Sequence, residues 1–114
     1  MVEKYKPNSN ISLDYICELV EYEIKQDGHG VPKRVEKRRK RCFCGVLSVG
    51  RNEYYTAAQT GLEAEYKLIL NAFEYGEEEC VSMDGRLYTV YRTYRRPDDY
   101  IELYLARRLG REGM

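Results

Sequence analysis

The chain has 114 residues and a mass of 13.5 kDa, which is room for one domain and excludes a multidomain enzyme or a large (β/α) barrel. Nineteen basic and nineteen acidic side chains cancel, so any electrostatic argument for a nucleic acid or a membrane has to be local. No apolar run approaches the ~20 residues of a membrane helix, and the N-terminus lacks the apolar core of a signal peptide. We therefore expect a single cytosolic domain, residues 1–114, with no membrane partner.

The first predicted elements are a flexible N-terminal extension, residues 1–13, and a strand, residues 19–25. The extension contains Pro7 and shows little periodicity. In the strand, apolar or aromatic side chains alternate with charged ones, which predicts one buried and one wet face. The predicted buried face consists of Val20, Tyr22 and Ile24.

The next predicted elements are a turn over residues 26–32 and a second strand over residues 33–49, which together complete a long hairpin. Two glycines and an Asp-Gly pair favour the turn. The first half of the second strand is polar and basic. Its second half is apolar enough to enter the core and contains Cys42, Phe43, Cys44, Val46, Leu47 and Val49.

One convincing helix follows over residues 51–59. Ser48 or Asn52 is the expected N-cap, because a hydroxyl or amide oxygen there can accept hydrogen bonds from the free backbone N–H groups. Gly61 is the expected stop, because glycine tolerates the left-handed conformation that ends helices.

After the helix, the two-residue period returns in residues 63–73 and continues, after a polar connection over residues 74–79, into a short strand at residues 80–83. The predicted inward face of the longer strand is Ala64, Tyr66, Leu68, Leu70 and Ala72.

Asp84-Gly85 predicts a two-residue hairpin between that short strand and the next, residues 86–95. The chain then turns at Pro97-Asp98-Asp99 into a last strand, residues 100–107, in which Ile101, Leu103 and Leu105 share one face. Residues 108–114 are expected to be a loose tail.

About six short strands and one short helix predict an all-β fold, because such a sheet must close or curl to bury its apolar face and hide its edges. We expect a small antiparallel β-barrel with a helix-containing connection between strands 2 and 3, or a bent sheet with the helix plugging one end.

The cysteines and the single histidine predict no metal site and no cofactor. Cys42 and Cys44 share one face of their strand, but this spacing is not that of a zinc knuckle. We expect Cys17, Cys42, Cys44 and Cys80 to be reduced and packed. His29 lies between two glycines in a turn and is expected to be solvated.

Catalytic motifs are absent from the sequence. It has no G-x-S-x-G element and no phosphate-loop or dinucleotide fingerprint. Carboxylates cluster in residues 77–79, but a polar connection is expected to remain in water, where no large pKa shift arises. The sequence therefore indicates a protein that is not an enzyme, with no catalytic residues.

One charged segment, residues 33–41, carries seven basic and one acidic side chain, which sum to +6. On a regular strand Lys33, Lys37, Arg39 and Arg41 share one face, and Arg34, Arg38 and Lys40 share the other. Three interpretations stay open for this segment. It contacts phosphate groups of a nucleic acid, it pairs with an acidic segment such as residues 77–79 of a neighbouring subunit, or it is solvated or paired with acidic residues.

Twelve tyrosines exceed what one small core can cover. Tyr54 and Tyr55 are adjacent in the helix and cannot both face one core, and the strand tyrosines fall on both faces. Exposed tyrosine-rich surfaces are typical of interfaces, so the composition favours a protein that assembles.

Two motifs carry a resemblance to a known family. The first runs from the apolar strand end Cys42-Phe43-Cys44 into Ser48-Val49-Gly50-Arg51-Asn52-Glu53-Tyr54-Tyr55-Thr56-Ala57-Ala58-Gln59, and the second is the hairpin Asp84-Gly85-Arg86-Leu87-Tyr88-Thr89-Val90-Tyr91-Arg92-Thr93-Tyr94 with the strand Ile101-Glu102-Leu103-Tyr104 after it. In order and spacing over residues 15–108, they resemble the head-tail joining proteins of long-tailed bacteriophages and prophages, also called head closure, head completion or stopper proteins.

The resemblance implies a structural protein of virion assembly: a small β-barrel that forms a homo-oligomeric ring of twelve below the portal. Its partners would be the portal or head-tail adaptor above and the tail terminator or another tail protein below. Assembly would occur in the bacterial host cytoplasm, and the protein would remain at the head-tail interface of the virion.

The resemblance also implies a channel segment. In the family, the connection between the second and third strands projects toward the central channel and in some members closes it to retain packaged DNA. Here that connection is residues 48–62, and its candidate gating residues are Ser48, Arg51, Asn52, Glu53, Tyr54, Tyr55 and Gln59.

An alternative from another functional class is a small barrel that binds single-stranded nucleic acid. It would use residues 33–41 as a phosphate contact and the strand tyrosines as stacking platforms for bases.

Overall fold

The computed structural model of the chain describes residues 11–59 and 61–108, without the side chains of residues 52–54 and 108. All neighbouring strands pair antiparallel and close into a barrel in the order β1-β2-β3-β6-β5-β4. The predicted all-β barrel fold is therefore confirmed. Its elements are β1 (Tyr15–Gln26), β2 (Pro32–Leu47), α1 (Arg51–Ala58), β3 (Leu62–Asn71), a 3-10 turn (Ala72–Glu74), β4 (Cys80–Met83), β5 (Arg86–Arg95) and β6 (Tyr100–Arg108).

The barrel core is built from every second residue of its strands, because alternate side chains point to the same side of a sheet. All six strands contribute to one buried cluster, and the predicted inward face of β6 is confirmed. The members of the cluster are Cys17, Leu19, Cys42, Cys44, Leu68, Leu70, Val81, Met83, Tyr88, Ile101, Leu103 and Leu105.

The two tight connections of the C-terminal half are those that the sequence predicts. Asp84 and Gly85 have φ values of 53° and 77°, so both adopt the left-handed conformation of a two-residue hairpin between β4 and β5. Asp99 also has a positive φ, 70°, in the turn that leads into β6.

Helix α1 begins at the predicted residue, Arg51, and ends within one residue of its predicted position, but its N-cap is not a predicted one. Gly50 is the N-cap and provides no side-chain hydrogen bond, so neither Ser48 nor Asn52 caps the helix. Gly61 has a φ of 79° and donates its N–H to the carbonyl of Ala58 at 3.0 Å, as expected of a helix stop. The helix packs against β3, and its Ala57 is buried.

Strand β1 begins earlier than predicted, at Tyr15, because the first residues of the strand pair with the end of β2. The register of this hairpin shifts between Glu21 and Tyr22, which is a β-bulge. The predicted buried face of β1 is wrong at Ile24, which is 65% exposed. The predicted extension is described only from Ile11, and residues 1–10 lie outside the described residues, as do residues 109–114 of the predicted tail.

Two further predictions of buried residues are wrong. Phe43 and Leu47, expected in the core, are exposed because they lie on the outer side of β2. Strand β3 ends at Asn71 instead of continuing to Phe73, which sits in the 3-10 turn and is 80% exposed.

The β1–β2 hairpin is longer than the barrel. Strand β4 pairs with β1 only over Glu18–Val20, and β3 pairs with β2 only over Gly45–Leu47. Residues 21–38 therefore form a two-stranded projection, which we call the hairpin arm.

Candidate interaction surfaces

The basic segment, residues 33–41, is largely neutralised by carboxylates of the same chain. Five of its seven basic side chains form ion pairs, so within-chain pairing, one of the interpretations left open above, accounts for most of its charge. The pairs are Arg34–Glu79 (3.5 Å), Lys37–Glu21 (3.7 Å), Arg38–Glu21 (2.7 Å), Arg39–Glu18 (2.7 Å), Arg39–Glu36 (2.8 Å) and Lys40–Glu74 (3.4 Å).

Lys33 and Arg41, the first and last members of the segment, make no ion pair with any residue that the structure describes. Both side chains are exposed. They are the two basic groups that the segment most clearly offers to a partner.

The bulge changes which basic side chains share a face. Glu21 pairs with Arg38 and Tyr22 pairs with Glu36, so Lys37 is the extra residue and the alternation predicted across the segment is interrupted there. Arg34 consequently lies over the ring of Tyr22, 4.0 Å from its centroid, with a guanidinium nitrogen 3.6 Å from the sulfur of Cys80. The two predicted basic faces are therefore wrong.

The polar connection before β4 is not fully solvated. Glu78 is 2% exposed, and its carboxylate accepts a hydrogen bond of 2.7 Å from the backbone N–H of Gly76 and lies 3.9 Å from the guanidinium of Arg38. The hydroxyl of Tyr75 donates to the carbonyl of Glu78 at 2.7 Å. Burial, with help from the nearby carboxylates, raises the pKa of Tyr75 to about 12. The connection thus anchors the base of the hairpin arm.

The four cysteines are reduced and buried, as the sequence predicts. Cys17 and Cys42 face each other across β1 and β2 with their sulfurs 3.7 Å apart. Hydrogen bonding to Cys42 and burial both raise the pKa of Cys17, so its thiol stays protonated. Burial also raises the pKa of Cys80, against the opposing effect of Arg34.

Neither the cysteines nor the histidine forms a recognisable metal site. Within residues 11–59 and 61–108, no group of three His, Cys, Asp or Glu side chains is arranged to hold a metal ion. His29 is exposed at the tip of the hairpin arm, where the carboxylate of Asp27 accepts the backbone N–H groups of His29 and Val31 at 2.8 and 3.0 Å. The predicted turn is therefore present, and the carboxylate of Asp27 stabilises it by accepting these two hydrogen bonds.

The candidate gating residues lie on α1 and its flanks. Ser48, Arg51, Tyr55 and Gln59 are all exposed, and Gln59 is the C-cap of the helix. The side chains of the other three candidates, Asn52, Glu53 and Tyr54, lie outside the described residues. The helix of this segment packs against β3.

The strand tyrosines are distributed between the core and the outer surface. Tyr88 is buried and meets Tyr66 edge to face with ring centroids 5.7 Å apart. Tyr104 is buried beneath the guanidinium of Arg92, 4.1 Å from the ring centroid. Neither buried ring is an open stacking platform for a base, whereas Tyr94 is half exposed.

Large apolar and aromatic side chains remain exposed on several sides of the molecule. Ile16 and Phe43 are direct partners across the start of the β1–β2 hairpin, and both are exposed. The sequence analysis wrongly placed Ile24 on a buried face, because periodicity assigns a face to a residue but does not say which element covers that face. The exposed set is Tyr15, Ile16, Ile24, Val31, Phe43, Leu47, Tyr55, Phe73, Leu87 and Tyr94.

No protein-family model and no curated protein matches this sequence, so the family resemblance rests on the motifs quoted above. Across the part of the chain that the structure covers, no helix is long and apolar enough to cross a membrane.

Proposed function

We propose that this protein is a phage or prophage head-tail connector of the head closure type. It forms a homo-oligomeric ring beneath the portal, joins the capsid to the tail, and contacts the portal or adaptor on one side and a tail protein on the other. The observation that carries the proposal is a closed barrel that still exposes large apolar side chains on several sides.

The exposed set supports assembly because its members do not serve the fold of the isolated chain. Ten large apolar or aromatic side chains of the described residues are between 43% and 80% exposed. Among the described residues nothing covers these side chains, so they are available to neighbouring molecules. A connector has neighbouring subunits at its sides and partners above and below. Separate exposed apolar patches on several sides of the molecule would bind these different partners.

The β2–β3 connection supports a role near the channel. It contains α1, which packs against β3, and Ala57 of the helix and Ala64 of the strand are both buried. A helix of only eight residues depends on its packing for stability, so α1 can leave the barrel when a partner offers other contacts. We propose that it does so in the ring, where Arg51 and Tyr55 face the channel and help to retain packaged DNA.

The decisive experiment is deletion of the gene from the phage or prophage genome that encodes it. Loss of a connector leaves heads and complete tails that do not join, visible by electron microscopy of the lysate, and expression in trans restores infectious particles. Normal yields of joined particles after deletion would overturn the proposal.

Single-stranded nucleic-acid binding is the competing outcome and has a separate measurement. A nucleic-acid-binding barrel would bind a fluorescent oligonucleotide with a steep salt dependence and lose binding when Arg38, Arg39, Lys40 and Arg41 are changed to glutamine. Because two of these four carry well-formed ion pairs at 2.7 Å, we expect weak binding that the variant barely changes. Tight, salt-sensitive binding that the variant abolishes would favour the competing function.

A further inference from the structure

The hairpin arm has two open strand edges. Beyond Val20, β1 pairs only with β2 among the described residues, and before Gly45, β2 pairs only with β1. Backbone N–H and C=O groups along an open edge can accept another strand. A two-stranded ribbon is also only marginally stable by itself in water, so a neighbour on either edge would stabilise the arm.

The two edges carry opposite charge. Over residues 21–26, β1 has Glu21, Glu23 and Lys25, a sum of −1. Over residues 32–38, β2 has four basic side chains and Glu36, a sum of +3. Arg34, Lys37 and Arg38 are already paired within the chain, so the charge that remains for a neighbour on the β2 edge is that of Lys33, which a carboxylate on the β1 edge of another copy would complement.

A like-charge contact near the tip of the arm also favours a neighbouring chain at the open edge. Lys25 and Lys33 are direct partners across the hairpin, an unfavourable pair in an isolated ribbon. Lys25 is partly compensated by Glu23 at 3.6 Å on its own strand, but Lys33 has no ion pair with any described residue. A carboxylate supplied from outside the chain would relieve this contact.

We propose that the hairpin arms of neighbouring copies pair edge to edge, with β1 of one copy antiparallel to β2 of the next. The copies are staggered by two residues relative to the register within one hairpin, so that Glu23 of one copy lies beside Lys33 of the next and not beside Val35. This inference rests on the proposed ring, for which it names the contact between subunits. The occupant of each open edge is therefore a second copy of this chain.

The geometry of a hairpin makes this contact repeatable. When all arms of a ring point the same way, β1 of each subunit lies beside β2 of its neighbour and runs opposite to it, which is the antiparallel arrangement. The contact uses two different surfaces, so it propagates and closes only as a ring. Twelve such hairpins, at about 4.8 Å per strand, would form a tube about 37 Å across before strand tilt.

Zero-length cross-linking tests the contact. Equal amounts of ¹⁴N- and ¹⁵N-labelled protein, at about 1 mM total to favour a weak association, are treated with a carbodiimide, which joins a carboxylate directly to a neighbouring amine. Mass spectrometry then separates light–heavy peptide pairs, which arise between chains, from light–light and heavy–heavy pairs. We expect light–heavy links between Glu23 and Lys33.

Charge reversal provides the control and the rescue. Glu23→Lys alone and Lys33→Glu alone should each reduce association between chains at least fivefold, measured by sedimentation, and the double variant should restore it. Arg86→Glu, an exposed reversal on β5 outside the arm, should leave association unchanged. Circular dichroism of each variant checks that the barrel is folded.

Inter-chain links that lie elsewhere, or links within single chains only, would overturn the arm contact. Copies that associate through another surface would leave the connector proposal standing, since that proposal is tested by the deletion phenotype. Conversely, the arms could be shown to pair while deletion of the gene still leaves joined particles. That result would support self-association through the arms and rule out the connector role.

Discussion

The barrel and the hairpin arm are built from the same two strands, yet different forces stabilise them. Where β1 and β2 belong to the barrel, Leu19 and Cys44 are fully buried. Where the same strands form the arm, Ile24 is exposed and ion pairs such as Arg38–Glu21 at 2.7 Å line the surface. The barrel is therefore stabilised by burial of apolar surface, while the arm depends on exposed charges that contribute little individually.

The largest expected difference in stability is between a side-chain truncation in the barrel core and one in the hairpin arm. Leu103→Ala removes a fully buried side chain from the barrel core and should lower the free energy of unfolding by about 3 kcal/mol. Ile24→Ala in the arm should change it by about 0.5 kcal/mol or less, because the side chain is already in water. Urea unfolding followed by circular dichroism measures both, and equal losses would contradict the comparison.

A matched pair of glycines makes the next test. A Cβ at Gly45 would lie 2.6 Å from the carbonyl oxygen of Ser12 and 2.9 Å from a methyl carbon of Ile69, so Gly45→Ala should cost about 1–3 kcal/mol of stability. A Cβ at Gly28, in the turn of the arm, would meet nothing within 4 Å. Gly28→Ala should therefore stay within about 0.5 kcal/mol of the unaltered protein.

We expect the protein to lose stability at alkaline pH because of Tyr75, which lies where the hairpin arm joins the barrel. Because burial raises the pKa of Tyr75 to about 12, the folded protein holds the phenol proton more tightly than the unfolded chain does, and the resulting stability is lost as pH rises from about 10 to 12. At pH 8, Tyr75→Phe should cost about 1 kcal/mol by removing the hydrogen bond to Glu78.

The cost of Tyr75→Phe should shrink above pH 10, since the variant has no phenol to ionise. Tyr94→Phe, at a half-exposed site, serves as the control for removing a surface hydroxyl. A constant difference between Tyr75→Phe and the unaltered protein up to pH 12 would contradict the assigned pKa.

The smallest expected effect concerns local opening without global unfolding. Limited chymotrypsin digestion should cleave the exposed Tyr55 of α1 faster than Leu87 beside the β4–β5 hairpin, because an eight-residue helix is marginally stable without its packing. Mass spectrometry of the first fragments gives the order of cleavage. Equal protection of the two sites would make α1 a permanent part of the barrel.

Local chemistry made part of this fold predictable. The Asp84-Gly85 turn and the bounds of β4 and β5 follow from residue types and a two-residue period, because both depend on neighbours in the sequence. The start of β1 at Tyr15 does not, because it depends on β2 as a pairing partner. The burial of Glu78 was missed for a similar reason: it depends on the N–H of Gly76 and on the approach of Arg38.

The candidate surfaces divide in the same way. Composition alone located the basic segment and the surplus of tyrosine, and it left open whether the charges meet phosphate, a neighbour, solvent or acidic residues. The tertiary structure decided that most of them meet carboxylates of the same chain, such as Glu18, Glu21 and Glu74.

By itself, the sequence determined an antiparallel all-β domain with one helix between its second and third strands, because periodicity, turn residues and helix signals act over a few residues. Only the tertiary structure decided that the first hairpin extends beyond the barrel, that Phe43 and Leu47 are exposed, and that most of the basic segment is neutralised within the chain. Those outcomes depend on which strands pair and on the residue at which each pairing ends. Pairing joins residues that are far apart in the chain, so no short stretch of sequence determines it.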